Sequence, residues 1–262
     1  MVTLLTLGET MGAAGTSPGT PLATAAELRL STAGAEATVA IGMRRLGHTG
    51  AAACLTHMGN TDMMILRSSP PSPFGRKVRI ALHHLELVNR VEIVATDTAS
   101  EADNIRKQNP LGKIPTLITE GGTALYDSPV ILEYLDHLAG SDQIIPVNPE
   151  SRFTALTLQA LADGILDASI LRVYERRYRS EDKVVDSWLD YQAGKVERAL
   201  TSLEASPPGT HVDVGTITLA CALGYQDLRF GGTWRSIYPR LVGWLDAFAA
   251  AVPSFEETRF AA

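Results

Sequence analysis

Along residues 63–139, short unbroken apolar runs alternate with stretches whose apolar positions recur every three or four residues. The run at 63–66 predicts a buried strand, and those at 91–94, 116–119 and 124–126 predict further strands. Val78, Ala81, Leu82 and Leu85 fall at i, i+3, i+4 and i+7, which predicts a helix over 74–87. Ile131, Tyr134, Leu135 and Leu138 repeat the spacing and predict a helix over 128–139, with a shorter one near 101–108. The order is βαβ followed by ββα. Such a set closes into one compact α/β sandwich.

Residues 140–150, with two prolines and polar neighbours, predict a linker. Beyond it every apolar period is helical, predicting helices over 151–179, 181–205, 215–228 and 239–251. The third carries a small apolar stripe of Ile217, Ala220, Cys221 and Gly224, suited to the centre of a bundle. Asp213 and Thr216 stand three apart at its start, a capping pair with acid and hydroxyl in the reverse of the usual order. The last helix turns Leu241, Trp244, Leu245 and Phe248 inward. The second domain is expected to be an all-α bundle over 150–262.

Residues 1–62 differ from the rest, with no Phe, Trp, Tyr or Lys. They predict a strand at 2–7, a turn-rich stretch at 15–21, a helix face of Val39, Gly42, Met43 and Leu46, and a strand at 51–55. This strand–helix–strand fragment is too small to bury both faces of a sheet. TLGETM at 6–11 and AGAEATVAIGMRRLGH at 33–48 resemble the N-terminus of ribokinase-like sugar kinases, the 2-keto-3-deoxygluconate kinases above all. The family's first glycine is Ala33 here and its sugar-contacting asparagine is Thr38. The C-terminal region that carries that family's catalytic aspartate and anion hole has no counterpart, and no P-loop replaces it. Residues 1–62 are thus expected to be a vestigial, non-catalytic fragment, with Met63 or Met64 able to start a complete protein.

Charge narrows the partners. A formal net charge of −6 and a pI near 5.5 argue against a nucleic-acid partner. No signal peptide and no run close to a membrane span is expected. Cys54 and Cys221 have neither metal nor redox spacing, which suits a reducing, cytoplasmic setting.

The candidate chemistry lies at two serine–proline helix starts. Ser72-Pro73 places a hydroxyl at the positive end of a helix dipole, among free backbone N–H groups. Such a place stabilises an anion. Tyr126-Asp127-Ser128-Pro129 repeats the arrangement, with an acid in front and Ser128 as N-cap. Ile114-Pro115 stands at the beginning of a predicted strand, where proline is tolerated.

Three motifs, SPFGRKVRIAL at 72–82, NPLGKIPTL at 109–117 and YDSPVILEYL at 126–135, resemble the cytosolic glutathione S-transferases of the bacterial, serine type. The resemblance runs from Met63 to the C-terminus. It implies a thioredoxin-like glutathione-binding domain over 63–141, then the all-α domain with the electrophile site, the N-terminal fragment being extra. It also implies a cis Ile114–Pro115 bond, which turns the Ile114 backbone out to pair with the peptide of glutathione. Ser128 and its N–H would receive the γ-glutamyl carboxylate, a plain N-cap being the alternative, Asp127 the α-amino group, and Lys113 either the glycine carboxylate or solvent alone. The family more often has glutamate where Asp127 stands.

Ser72 would donate a hydrogen bond to the glutathione sulfur. A thiol with a pKa of ~8.5 must fall about two units, roughly 2.7 kcal/mol, to be mostly ionised at neutral pH. A helix terminus gives up to ~2 kcal/mol and a hydrogen bond to a charged group ~1.5–3 kcal/mol, so the two together suffice. Ser69 is the weaker candidate, lying before the prolines and off the helix end. The absence of cysteine here disfavours mixed-disulfide chemistry.

The resemblance therefore implies a detoxifying transferase with glutathione as co-substrate, no metal, a small hydrophobic electrophile, and a two-fold homodimer. A glutathione-dependent isomerase or dehalogenase, a non-catalytic binding module, and a sugar-binding remnant are the alternatives. His83-His84 read as mid-helix structure rather than a metal site. Arg172, Arg176, Arg177 and Arg179 read as a solvated helix end or, alternatively, an anionic second-substrate clamp, with Tyr174 beside them.

Overall fold

In a computed structural model of the protein, the structure describes residues 63–260 and, ahead of them, the backbone of residues 2–7, 10–15 and 29–30. Contacts divide the chain into Met1–Thr61 and Asp62–Ala262. The first unit holds a three-stranded antiparallel sheet of β1 (Val2–Leu7), β2 (Thr10–Gly15) and β3 (Arg29–Leu30). Val2 faces Gly15 and Leu7 faces Thr10 along the β1–β2 pair. Sequence periodicity gave only the first of these strands. The helix face at 39–46 and the strand at 51–55 lie outside the described residues.

The second unit opens with a mixed sheet in the order β5-β4-β6-β7. Its strands are β4 (Met64–Ser68), β5 (Val91–Ala95), β6 (Thr116–Ile118) and β7 (Ala124–Leu125). β4 runs parallel to β5 with Met64 opposite Val91, and antiparallel to β6 with Leu66 opposite Leu117. Helices α1 (Pro73–His84), α2 (Ile105–Gln108) and α3 (Ser128–Leu138) complete the α/β layer. Val78, Ile80, Ala81 and Leu82 of α1 and Ile131, Leu132 and Leu135 of α3 are fully buried with Met64, Leu66 and Leu117. His83 and His84 are the last two residues of α1, not mid-helix: the Leu85 N–H closes on Ala81 and the chain turns at Glu86 with φ 58°. The linker is pinned from α3, because Asp136 accepts from the N–H groups of Gln143, Ile144 and Ile145.

The helical half comprises α4 (Pro149–Tyr178), α5 (Asp186–Ala205), α6 (Val214–Phe230), α7 (Pro239–Ala251) and α8 (Ser254–Glu257). Asn148 caps α4 by accepting from Glu150 and Ser151 N–H, which starts the helix two residues before the expected 151. A 3₁₀ turn at Glu181–Lys183 delays α5. α6 is the central helix, buried without a break from Val214 to Leu223. Small residues allow this: a Cβ on Gly215 would stand 2.6 Å from the Ala155 carbonyl, and one on Gly224 2.6 Å from Arg76 Nη1. The reversed capping pair is a complete box, with Thr216 N–H to Asp213 and Asp213 N–H to Thr216 Oγ1 both 2.9 Å. By length and composition α4 is apolar enough to cross a membrane, although no unbroken apolar run in it approaches that length. Ala162, Ile165 and Leu166 of that helix are spent in the core beside α5 and α6.

Candidate functional site

The site begins where β4 ends. Ser68 is buried, and the chain turns through Ser69-Pro70-Pro71 so that the Ser72 N–H donates to the Ser69 carbonyl at 3.0 Å. Ser72 has extended backbone (φ −74°, ψ 117°), Pro73 takes the first helical position, and Ser72 Oγ accepts from Gly75 N–H at 3.1 Å. One of the hydroxyl's two lone pairs is thereby used in capping. Its proton has no acceptor among the described residues.

Glycine at 75 is what lets α1 approach β4. A Cβ there would stand 2.2 Å from Ser68 Oγ, a buried hydroxyl with no partner of its own. Neither Ser68 nor Gly75 was singled out by the sequence, since a close approach leaves no periodic trace.

The opposite wall is held by two polar side chains of the sheet layer. Arg67, on β4, is buried and donates to Thr96, Asn104, Gln108 and Asp103, tying down residues 96–108. Asn109, 1% exposed, donates to the Lys113 carbonyl and to Thr116 Oγ1, each at 3.1 Å, and accepts from Leu111 N–H. Gly112 follows with φ 61°, a left-handed turn that glycine takes without strain. This loop delivers Ile114, whose peptide bond to Pro115 is cis, as the resemblance implied. Neither backbone group of Ile114 is hydrogen-bonded among the described residues.

Ser72, Ser69, Lys113 and Ile114 line one cleft of about 900 Å³, whose far wall is Ile170, Leu171, Tyr174, Arg177 and Tyr178 from α4 with Tyr225 and Arg229 from α6. A smaller cavity of about 270 Å³ lies against Ser72 on its other side, between Arg76, Cys221 and Tyr225. Burial pushes the Cys221 thiol up to about 11, so it stays protonated at neutral pH.

Asp127 and Ser128 sit at the start of α3 and do not line the large cleft. The helix is capped differently from expectation: Asp127 occupies the N-cap position, Ser128 is already helical, and no side chain closes the cap. Ser128 is buried while Asp127 is exposed. Electrostatics connects this corner with the cleft. Burial pushes the Asp163 and Asp167 carboxyls of α4 up, the nearby Asp127 charge adds to it, and lysines oppose it: Lys77 at Asp163, Lys113 and Lys77 at Asp167. Lys77 is fully buried and donates to Asp163 at 2.6 Å, while Asp167 lines the cleft. The charges of Asp127, Lys77 and Lys113 thus act on Asp163 and Asp167, and of these five groups sequence reasoning had found Asp127 and Lys113.

Comparison with known proteins agrees with the geometry. Residues 71–138 match the model of the glutathione S-transferase N-terminal domain. An uncharacterised GST-like protein of Escherichia coli, YibF, is 37% identical over 172 residues, 63% of this chain and 83% of the relative. The chain belongs to the glutathione S-transferase family. A family member from Pseudomonas fluorescens Pf-5, solved with bound glutathione, is 41% identical, with a TM-score of 0.72 over 76% of this chain and 100% of that one. A glutathione S-transferase from Methylobacillus flagellatus, solved with glutathione bound, is 33% identical, with a TM-score of 0.69 over the same shares. The fold is therefore the transferase architecture, a thioredoxin-like domain followed by a mostly helical one.

Proposed function

We propose that this protein binds glutathione along Ile114 and transfers its sulfur to an electrophilic carbon, with Ser72 stabilising the thiolate. The observation that carries the reading is the state of the Ser72 hydroxyl. One of its lone pairs is engaged by Gly75 N–H at the start of α1, and its proton is left to a partner in the cleft. A thiolate seated there gains both the helix terminus and one charge-assisted hydrogen bond.

In this reading the cysteinyl peptide of glutathione pairs with the free N–H and carbonyl of Ile114 beside cis Pro115. Lys113 receives the glycine carboxylate. Ser128 and the α3 terminus take the γ-glutamyl carboxylate, and Asp127, with Asp167 behind it, takes the α-amino group. The thiol proton leaves to solvent. The sulfur lone pair then forms the new C–S bond as the leaving group departs with its electrons. The protein works as a homodimer in the cytoplasm and serves detoxification. Residues 1–62, the kinase-like fragment, take no part.

The test compares wild type with Ser72→Ala and Ser72→Gly in conjugation of an activated aryl halide. Losing a hydrogen bond to a charged sulfur, ~1.5–3 kcal/mol, predicts a fall in kcat/KM of roughly 10- to 100-fold and an upward shift in the thiol pKa of bound glutathione. Glycine keeps most of the N-cap stability, so a loss shared by both variants is not a folding effect. Full rate and unshifted thiol pKa in both variants would show that Ser72 only caps its helix.

A further inference from the structure

Three of the four arginines near the end of α4 have separate fates. The Arg172 guanidinium lies 4.2 Å from the Phe230 ring centroid, and Arg179 pairs with Glu175 at 3.0 Å. Arg177 lines the large cleft, 5.6 Å from the Tyr174 ring centroid. It is joined there by a residue that the sequence pattern did not bring out, Arg229 of α6, 5.8 Å from the Tyr225 ring. Neither Arg177 nor Arg229 has a carboxylate partner among the described residues. The Arg229 Nε–H is buried with no hydrogen-bond partner among the described residues, an arrangement that is unfavourable unless something accepts from it.

The acidic groups on the cleft wall are Asp97 and Asp167. Asp167 faces Lys113, and Asp97 accepts from Ala99 N–H. The remaining cation of the wall, Arg106, spends its donors on the Thr98 and Ser100 carbonyls. The far end therefore offers two guanidinium groups with no carboxylate partner among the described residues, Arg229 sharing a side-chain hydrogen bond with the Tyr225 hydroxyl, beside an apolar shelf of Ile170, Leu171 and Tyr174.

We propose that the electrophile taken by this cleft is a carboxylate-bearing aromatic molecule, its anion received by Arg177 and Arg229 while its reactive carbon lies toward Ser72. A guanidinium fork matches a carboxylate bidentately, and the aromatic shelf carries the ring. The inference rests on the thiolate reading of the same site. For a nitro-activated aryl chloride, the sulfur lone pair forms the C–S bond, chloride leaves with the C–Cl electron pair, and the thiol proton passes to solvent.

The experiment uses the full chain and a pair of such aryl chlorides, one with a ring carboxylate and one with the primary amide in its place. Each kcat/KM is divided by its uncatalysed rate constant. Wild type is expected to favour the carboxylate at least tenfold, and Arg229→Gln and Arg177→Gln each to cut that preference several-fold through KM. No preference in wild type, or a preference kept in both variants, overturns the proposal. If neither compound is turned over, calorimetry with S-(4-carboxybenzyl)glutathione and S-(4-carbamoylbenzyl)glutathione decides it. Tighter binding of the carboxylate, reduced by Arg229→Gln, sustains the proposal, and equal binding overturns it alone. Failure to bind either derivative or glutathione itself removes the thiolate reading too.

Discussion

The contact between Gly75 and Ser68 allows a sharp test of how the site is built. In an isolated helix, Gly75→Ala would stabilise by about 1 kcal/mol, since glycine is the poorer helix former. Here the added Cβ would stand 2.2 Å from Ser68 Oγ, but 3.5 Å from Ser68 Cβ and Ser72 Cβ, an ordinary separation. The whole conflict is with one oxygen, and that oxygen is buried and unpartnered. Forcing the two apart is an overpacking of ~1–3 kcal/mol, so the net effect of Gly75→Ala is a loss of up to about 2 kcal/mol. Ser68→Ala removes an unsatisfied hydroxyl and should gain about 1 kcal/mol. The double variant then has the propensity gain without the clash and should exceed wild type by about 2 kcal/mol. Urea unfolding of the four proteins gives a coupling energy of about 1–3 kcal/mol. Because Gly75 N–H is also the donor to Ser72 Oγ, conjugation should fall in Gly75→Ala and recover in the double variant. Additive effects, or stabilisation by Gly75→Ala alone, would refute this account of the α1–β4 contact.

Other expectations follow from buried groups. Arg67→Met strands the four side chains that hold residues 96–108 and should cost roughly 3–5 kcal/mol in chemical unfolding, with a raised KM for the electrophile. Burial holds the Cys221 thiol up at about 11, above the range of a free thiol, so the native state keeps its proton to higher pH than the unfolded one. Its contribution is therefore fully present below the unfolded pKa and lost as pH rises through the folded one. The margin of wild type over Cys221→Ala should shrink by about 2–3 kcal/mol between about pH 8 and pH 11.5, measured by urea unfolding at each pH. Deleting residues 1–62 should leave conjugation and the melting temperature about unchanged. A large loss of either would make the N-terminal unit a working part of the protein.

The sequence alone determined the elements from Met63 onward, because apolar periodicity is a local record of which face is buried. Val78, Ala81, Leu82 and Leu85 announced α1 in this way, and the burial of the first three is complete. The serine–proline starts were legible for the same reason: proline's fixed φ and missing N–H mark a helix start within two residues. The motifs also placed Ser72, Lys113 and Ile114, which share one cleft. Tertiary structure decided what depends on distance between elements. The opening strand pair of the first unit, the 2.2 Å margin at Gly75, and the burial of Lys77 against Asp163 leave no period in the chain. The cap of α3 fell to Asp127 rather than Ser128, since backbone dihedrals and not residue preference fix where a helix begins. Arg177 and Arg229 lie on different helices, so only the packing of α4 against α6 brings to one wall two cations with no carboxylate partner among the described residues. At Ser72 the two levels meet. Local chemistry gives a capping hydroxyl at a helix start, and the fold sets that residue on the wall of a cleft that no single segment contains.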